Sequence, residues 1–327
     1  MALENLLQEL NELLEESQEK ILKRYTKPVL PPVFIVGCPR SGTTLLLQWM
    51  AYSGGFTYPS NFISRFYRAP YIGALVQKML VDPRYDYNAE MGGMNITPEN
   101  WFRSDLGKTK GFLAPNEFWY FWRRFFDFGE IQYLDQKKLN CVDTKTFLSE
   151  LAALEAVFKR PLLMKALIVN WNLKFLSEIF EQAVFLYIKR DSFFNIQSLL
   201  KARLKYFNDI HKWYSFKPVE FEFLKNQEPH FQVAGQVYFT NKAIENGLAG
   251  IDPSRWIRID YEDLCLSPEK SWAKIMALLD RNGFRLTIDY RGIHKFTNMN
   301  KQEVSDFERQ KISDSYQRLI ENAISAG

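Results

Sequence analysis

Histidine and cysteine are scarce, with three of each in 327 residues. Cys38, Cys141 and Cys265 stand far apart, and neither they nor His211, His230 and His294 fall at metal-ligand spacings. A zinc site and a disulfide framework are therefore excluded, and an odd, dispersed set of cysteines fits a reducing compartment. No run approaches about 18 uninterrupted apolar residues, so no membrane-spanning helix is expected. The N-terminus is acidic and has no continuous apolar stretch, which argues against a signal peptide and for a cytoplasmic protein. Charge of one sign is lacking too: 42 Lys and Arg against 38 Asp and Glu leave +4. That balance offers no clustered basic surface of the kind nucleic acid requires.

What is present is enough chain for a large core and an unusual aromatic content of 16%, much of it crowded into residues 56–128. Residues 2–25 read as one amphipathic helix, because Leu3, Leu6, Leu7, Leu10, Leu13, Leu14 and Ile21 recur at three- and four-residue steps. Such a helix packs on the flank of the domain or joins two copies into a homodimer. Pro28, Pro31 and Pro32 end it. Buried strands are expected at 33–36, 161–165, 183–188 and 256–261, with helices at 148–158, 173–180, after Asp191, at 232–248, 268–282 and in the tail. Strands alternating with helices define an α/β class: a single domain over 1–327 with a mainly parallel central sheet and helices on both faces. Residues 54–128 show little periodicity and are broken by Gly54, Gly55, Pro59, Pro70, Gly92, Gly93 and Pro98. So long an irregular insertion is read as the acceptor-binding part.

The first strand runs into Gly37-Cys38-Pro39-Arg40-Ser41-Gly42-Thr43-Thr44 and then an apolar helical run. Strand, glycine-bounded loop and helix N-terminus make an anion cradle, in which free backbone N–H groups and the helix dipole face the ligand. The spacing Gly37-x4-Gly42 is that of a P-loop, but Thr43 stands where a nucleotide triphosphatase has Lys. The cation sits inside the loop instead, at Arg40. In a parallel α/β sheet the ligand lies at the carboxyl ends of the strands. The residues there are Arg40, Lys165, Arg190 and Tyr261: two guanidiniums, an ammonium and a phenol. No carboxylate stands where a Walker-type Asp would hold magnesium, so side chains rather than a metal neutralise the ligand.

Three segments carry a family resemblance. Val36–Thr44 resembles the 5′-phosphosulfate loop of sulfotransferases that use 3′-phosphoadenosine 5′-phosphosulfate (PAPS). Phe185–Asp191, with Ser198 eight positions after Arg190, resembles their 3′-phosphate motif. Arg258–Leu264 resembles the Tyr-Glu-Asp-Leu stretch of bacterial and Golgi-type members. Carbohydrate-type and tyrosyl-protein sulfotransferases match this pattern better than the cytosolic phenol and steroid enzymes. The comparable C-terminal stretch Arg291–Thr297 departs from the cytosolic motif and leaves Lys295 as a weak substitute. The resemblance implies that Gly37, Pro39, Arg40, Ser41, Gly42, Thr43 and Thr44 hold the phosphosulfate of PAPS, and that Arg190 and Ser198 hold its 3′-phosphate, with Tyr261 nearby. It also implies that Lys165, 25 residues before Arg190, stabilises the departing oxygen.

A general base must take the acceptor's proton. Tyrosyl-type enzymes have a Glu about 21 residues after the loop Arg, where this chain has Asn61. Glu117, an isolated carboxylate in an aromatic run, is the first choice here and Asp105 the second; His211 and His230 read as structural. The acceptor is expected to be a hydroxyl of a sugar or glycan, in a polysaccharide or glycolipid. Tyr67, Trp101, Trp119, Tyr120 and Trp122 would stack on sugar rings, and Arg65, Arg68, Arg123 and Arg124 would meet an anionic polymer. Two alternatives stand beside sulfuryl transfer: a small-metabolite kinase, which the missing Walker Lys and metal carboxylate disfavour, and a non-catalytic nucleotide-binding protein.

Overall fold

The structure, a computed structural model, describes residues 2–86, 101–286, 288, 290 and 292–325. Gly92, Gly93, Pro98 and Arg291, named above, lie outside the described residues. Strands β1 (Val33–Gly37), β4 (Leu163–Lys165), β5 (Val184–Lys189) and β6 (Trp256–Asp260) form a parallel sheet in the order β4-β1-β5-β6, and a separate small hairpin pairs β2 (Ser104–Asp105) with β3 (Lys108–Thr109). Every residue of β1 is buried, as expected of a central parallel strand covered on both faces. Its side chains divide by the two-residue period. Phe34 and Val36 join one core with Phe185, Tyr187, Trp122 and Phe147, while Val33 and Ile35 join the opposite core with Leu46, Leu186, Ile188 and Ile275.

The helices that matter for the site are α1 (Leu3–Leu22), α2 (Thr43–Tyr52), α3 (Pro70–Val81), α4 (Trp119–Phe125), α5 (Thr144–Phe158), α6 (Ser192–Phe207), α7 (Pro229–Ala249), α8 (Tyr261–Leu266), α9 (Pro268–Arg281) and α10 (Asp306–Ser325). The first helix lies on the flank against α3 and α5. It is fastened by Asn11, fully buried, whose amide donates to the Arg65 carbonyl and accepts from the Arg68 N–H.

Two expectations change. The 54–128 segment is not uniformly irregular, since α3 is a regular helix inside it. Pro70 sits at its first position, where no N–H is needed, and Gly73 is where Phe66 packs against it, so that a Cβ would stand 2.7 Å from the ring. Residues that look like punctuation in the sequence are thus helix-compatible. Tyr261 is not a strand end either: β6 stops at Asp260, and Tyr261 opens α8.

Register fixes the site. Ile35 pairs with Lys165, Gly37 with Ile188, and Lys189 with Asp260. The strand ends therefore lie along one edge. From β1 the chain reaches β4 on one side and β5 on the other, so the loop after β1 occupies the point where the strand order reverses.

Candidate active site

The loop Cys38–Gly42 is held from below by two buried amides. Asn170 donates to the Gly37 carbonyl at 2.9 Å, and Asn195, on α6, donates to the Pro39 carbonyl at 2.8 Å. With carbonyls tied inward, the first-turn N–H groups of α2 remain free at the opposite side. Arg40 adopts φ 69° and Gly42 φ 100°. The left-handed conformation is natural for Gly42 and strained for Arg40, and strain of this kind concentrates at binding sites. A Cβ on Gly42 would lie 2.5 Å from the Tyr261 ring, so the phenol and the loop are in direct contact. Ser41 is fully buried and its hydroxyl has no hydrogen-bond partner among the described residues.

Arg40, Ser198, Arg190 and Tyr261 form one cluster. The Arg40 Nε donates to Ser198 Oγ at 3.2 Å, and its carbonyl accepts from Arg190 Nη1 at 3.1 Å. Arg190, only 8% exposed, lies over the Tyr261 ring at 4.8 Å. Its Nε donates to Asn300 Oδ1 and its Nη2 to the Met299 carbonyl, while the Tyr261 hydroxyl accepts from the Met299 N–H. Burial pushes both guanidiniums down from their ordinary value, and it pushes the Tyr261 phenol up to about 12. Among the described residues neither Arg40 nor Arg190 makes an ion pair with a carboxylate; their hydrogen-bond partners are neutral oxygens. Two neighbouring cations, Arg190 buried and Arg40 half-buried, bonded only to neutral groups constitute a site that favours an anion. The cradle, the orphaned Ser41 hydroxyl and the two guanidiniums fit a ligand with phosphate groups at both ends.

Lys165, 6% exposed, lies on the other side of the loop. Its Nζ donates to Thr44 Oγ1 at 3.0 Å and to Glu117 Oε1 at 2.6 Å. Glu117 is therefore not isolated among aromatics as the sequence suggests. Its side chain is 38% exposed and reaches the cradle through Lys165. Phe118, in the left-handed region at φ 57°, turns the chain there before α4 begins. The tip of the β2–β3 hairpin covers this pair: the Gly107 carbonyl accepts from Thr44 Oγ1 at 3.3 Å, and Tyr214 donates to the Leu106 carbonyl. Asp105, on the same hairpin, pairs with Lys205, whose hydrogen bond holds its carboxyl below the usual range. It is a solvated hairpin anchor.

Other expected residues fall elsewhere. Asn61 is a structural clip, donating to the Gly111 carbonyl and accepting from Asn116. Lys295 is exposed and away from Arg190, whose C-terminal partners are Met299 and Asn300. His211 is exposed on a turn, and burial lowers the pKa of His230. Trp101 and Trp122 are core residues, at 6% and 1% exposure. Arg68 and Arg124 are ion-paired with Glu15 and Glu150. Sequence reasoning missed Asn170, Asn195, Met299 and Asn300, because single amides and backbone groups carry no local signal.

A glycine-bounded anion loop at the strand-order reversal, flanked by a strand-end lysine and an adjoining arginine pair, defines a P-loop-type group-transfer enzyme. The model of the sulfotransferase family matches residues 31–284, and the chain belongs to that family. It is 22% identical over 323 residues to omega-hydroxy-beta-dihydromenaquinone-9 sulfotransferase Stf3 of Mycobacterium bovis, covering 89% of this chain and 74% of that protein. The Mycobacterium tuberculosis protein of the same name matches equally. Among solved structures, sulfotransferase STF9 of Mycobacterium avium shares the fold at a TM-score of 0.51 and 13% identity, covering 94% of this chain and 80% of that one.

Proposed function

We propose that this sulfotransferase moves the sulfuryl group of PAPS to an acceptor hydroxyl, using one domain in which residues 54–128 form the acceptor side. The observation that carries the donor assignment is the pair Arg40 and Arg190, which lacks carboxylate partners among the described residues and is joined at the Arg40 carbonyl, with Ser198 on Arg40 and Tyr261 under Arg190. Arg40 with the loop residues Gly37–Thr44 would grip the phosphosulfate, and Arg190 with Ser198 the 3′-phosphate. The acceptor oxygen forms a bond to sulfur as the bond from sulfur to the bridging phosphate oxygen breaks. The acceptor proton passes to Glu117, and the electron pair left on the bridging oxygen is stabilised by Lys165. Positioning and charge stabilisation do most of the work in transfers of this type. Side chains neutralise the donor in this reading, with no metal required.

A sugar or glycan acceptor keeps the support of Trp119 and Tyr120, which are exposed. It loses that of Trp101, Trp122, Arg68 and Arg124, which are buried or paired. The test is thermal stabilisation by 3′-phosphoadenosine 5′-phosphate (PAP) against ATP with magnesium, followed by transfer of labelled sulfate from PAPS to hydroxyl acceptors. Saturation at a hundred times Kd should stabilise by about 2.7 kcal/mol. Stabilisation by ATP with magnesium alone would overturn the donor assignment.

A further inference from the structure

A groove of about 770 Å³ opens between the first two turns of α1 and the segments at 61–65 and 109–120. That volume is in the range of small-molecule sites. Asn116 lines the groove, and the next residue in the chain is Glu117, whose carboxylate meets Lys165. Its walls are apolar: Leu3, Leu7, Phe62, Phe112, Trp119 and Tyr120. Phe62 and Phe112 stack at 4.4 Å between ring centres.

Arg65 is the one charged group of the lining and is exposed, while the amides and hydroxyls are satisfied by their neighbours, the Ser64 hydroxyl donating to the Asn61 carbonyl. The Asn61 amide donates to the Thr109 and Gly111 carbonyls, the Asn116 amide donates to Asn61, Asn116 accepts from the Phe118 N–H, and the Thr109 hydroxyl donates to the Pro115 carbonyl. A ligand rich in hydroxyls would lose water here and find these partners taken, which is costly. An apolar body would bury against six hydrophobic side chains with no such cost. We propose that the acceptor is a hydroxyl compound with an apolar body, seated in this groove against Leu3 and Leu7 with its hydroxyl directed to Glu117. The proposal rests on the sulfuryl-transfer reading for the role of Glu117, but not for the groove itself. Leu3 and Leu7 lie before residue 31, outside the family-matched stretch, so this wall is a feature of the N-terminal helix rather than of the matched family region. They would act as specificity-determining residues that set how long an apolar body is accepted.

The experiment is calorimetric titration of the full chain with linear primary alcohols from hexanol to dodecanol and with methyl glucoside, each with and without PAP. Affinity should rise about two- to fourfold per added methylene, with methyl glucoside weaker than hexanol. Leu7→Ser should flatten the length dependence while leaving PAP affinity unchanged. Leu3→Ser, in the exposed first turn, should do the same more weakly and guards against a folding defect in the first variant. Affinity independent of chain length, or methyl glucoside binding above hexanol, would overturn the apolar class. An unaltered slope in both variants would overturn the role of the helix. Failure of PAP to bind would strike the donor assignment alone, since the alcohol titrations without PAP still decide the groove.

Discussion

The ammonium of Lys165 lies 2.6 Å from the carboxylate of Glu117 and 3.0 Å from the hydroxyl of Thr44. One side chain thus joins the group proposed to take the acceptor proton to the loop proposed to hold the donor. Glu117→Gln is expected to lower kcat by about a hundred- to ten-thousand-fold, and Lys165→Met by about a hundred- to a thousand-fold, each with PAP affinity nearly unchanged. Because the two groups touch, the double variant should lose less than the product of the single losses. Steady-state kinetics with PAP titrations check this; full activity in Glu117→Gln would remove it from the proton-transfer step.

Among the described residues Arg190 spends three of its five donor hydrogens, on Arg40, Asn300 and Met299, which leaves two for a ligand. Arg190→Ala should weaken PAP binding by about ten- to a hundred-fold, from the loss of charge-assisted hydrogen bonds. Binding of AMP, which lacks the 3′-phosphate, should change little. Arg190→Lys should not restore affinity, because an ammonium cannot reproduce a fork held at three points. Equal losses for PAP and AMP would show that Arg190 organises the loop rather than meeting the 3′-phosphate.

Gly42→Ala combines a left-handed backbone with a Cβ placed 2.5 Å from the Tyr261 ring. The expected cost is about 1–3 kcal/mol, read as a lower urea midpoint with an unchanged slope. PAP affinity should fall with it, since Tyr261 must move and Arg190 stacks on that ring. Wild-type stability in this variant would mean that the contact yields freely.

Much of the donor side is legible in the sequence, because its signals are local. A run of β-branched residues before Gly37, a cation at Arg40 and a cation after each of two apolar runs all announce themselves by neighbours in the chain. The register of a parallel sheet then brings Arg40, Lys165 and Arg190 to one edge. The acceptor side is not legible in the same way. An aromatic run fits a core as well as a surface, and only packing separates Trp122, which is core, from Trp119, which is exposed. Pro70 reads as a break because a helix start cannot be told from a turn by residue type. Asn170 and Asn195 are ordinary amides whose task exists only once the loop is folded above them. The ion pair of Lys165 with Glu117 joins residues 48 positions apart and has no counterpart in spacing.

The C-terminal segment is stitched to the donor side at several points. Phe296 donates its N–H to the Cys265 carbonyl, Asn300 bridges Arg190 and Glu262, and the Gln197 amide, one residue before Ser198, bonds Lys301 and Glu303. Beyond it, α10 packs on α6 and α7, with Ile312 and Leu319 buried. An anion held by Arg190 would therefore share a thermodynamic fate with the docking of the last helix. Linkage makes that coupling reciprocal: whatever affinity the docked tail lends to the anion, the anion returns as resistance of the tail to detachment, so the end of the chain reports on the occupancy of a loop that begins at its first strand.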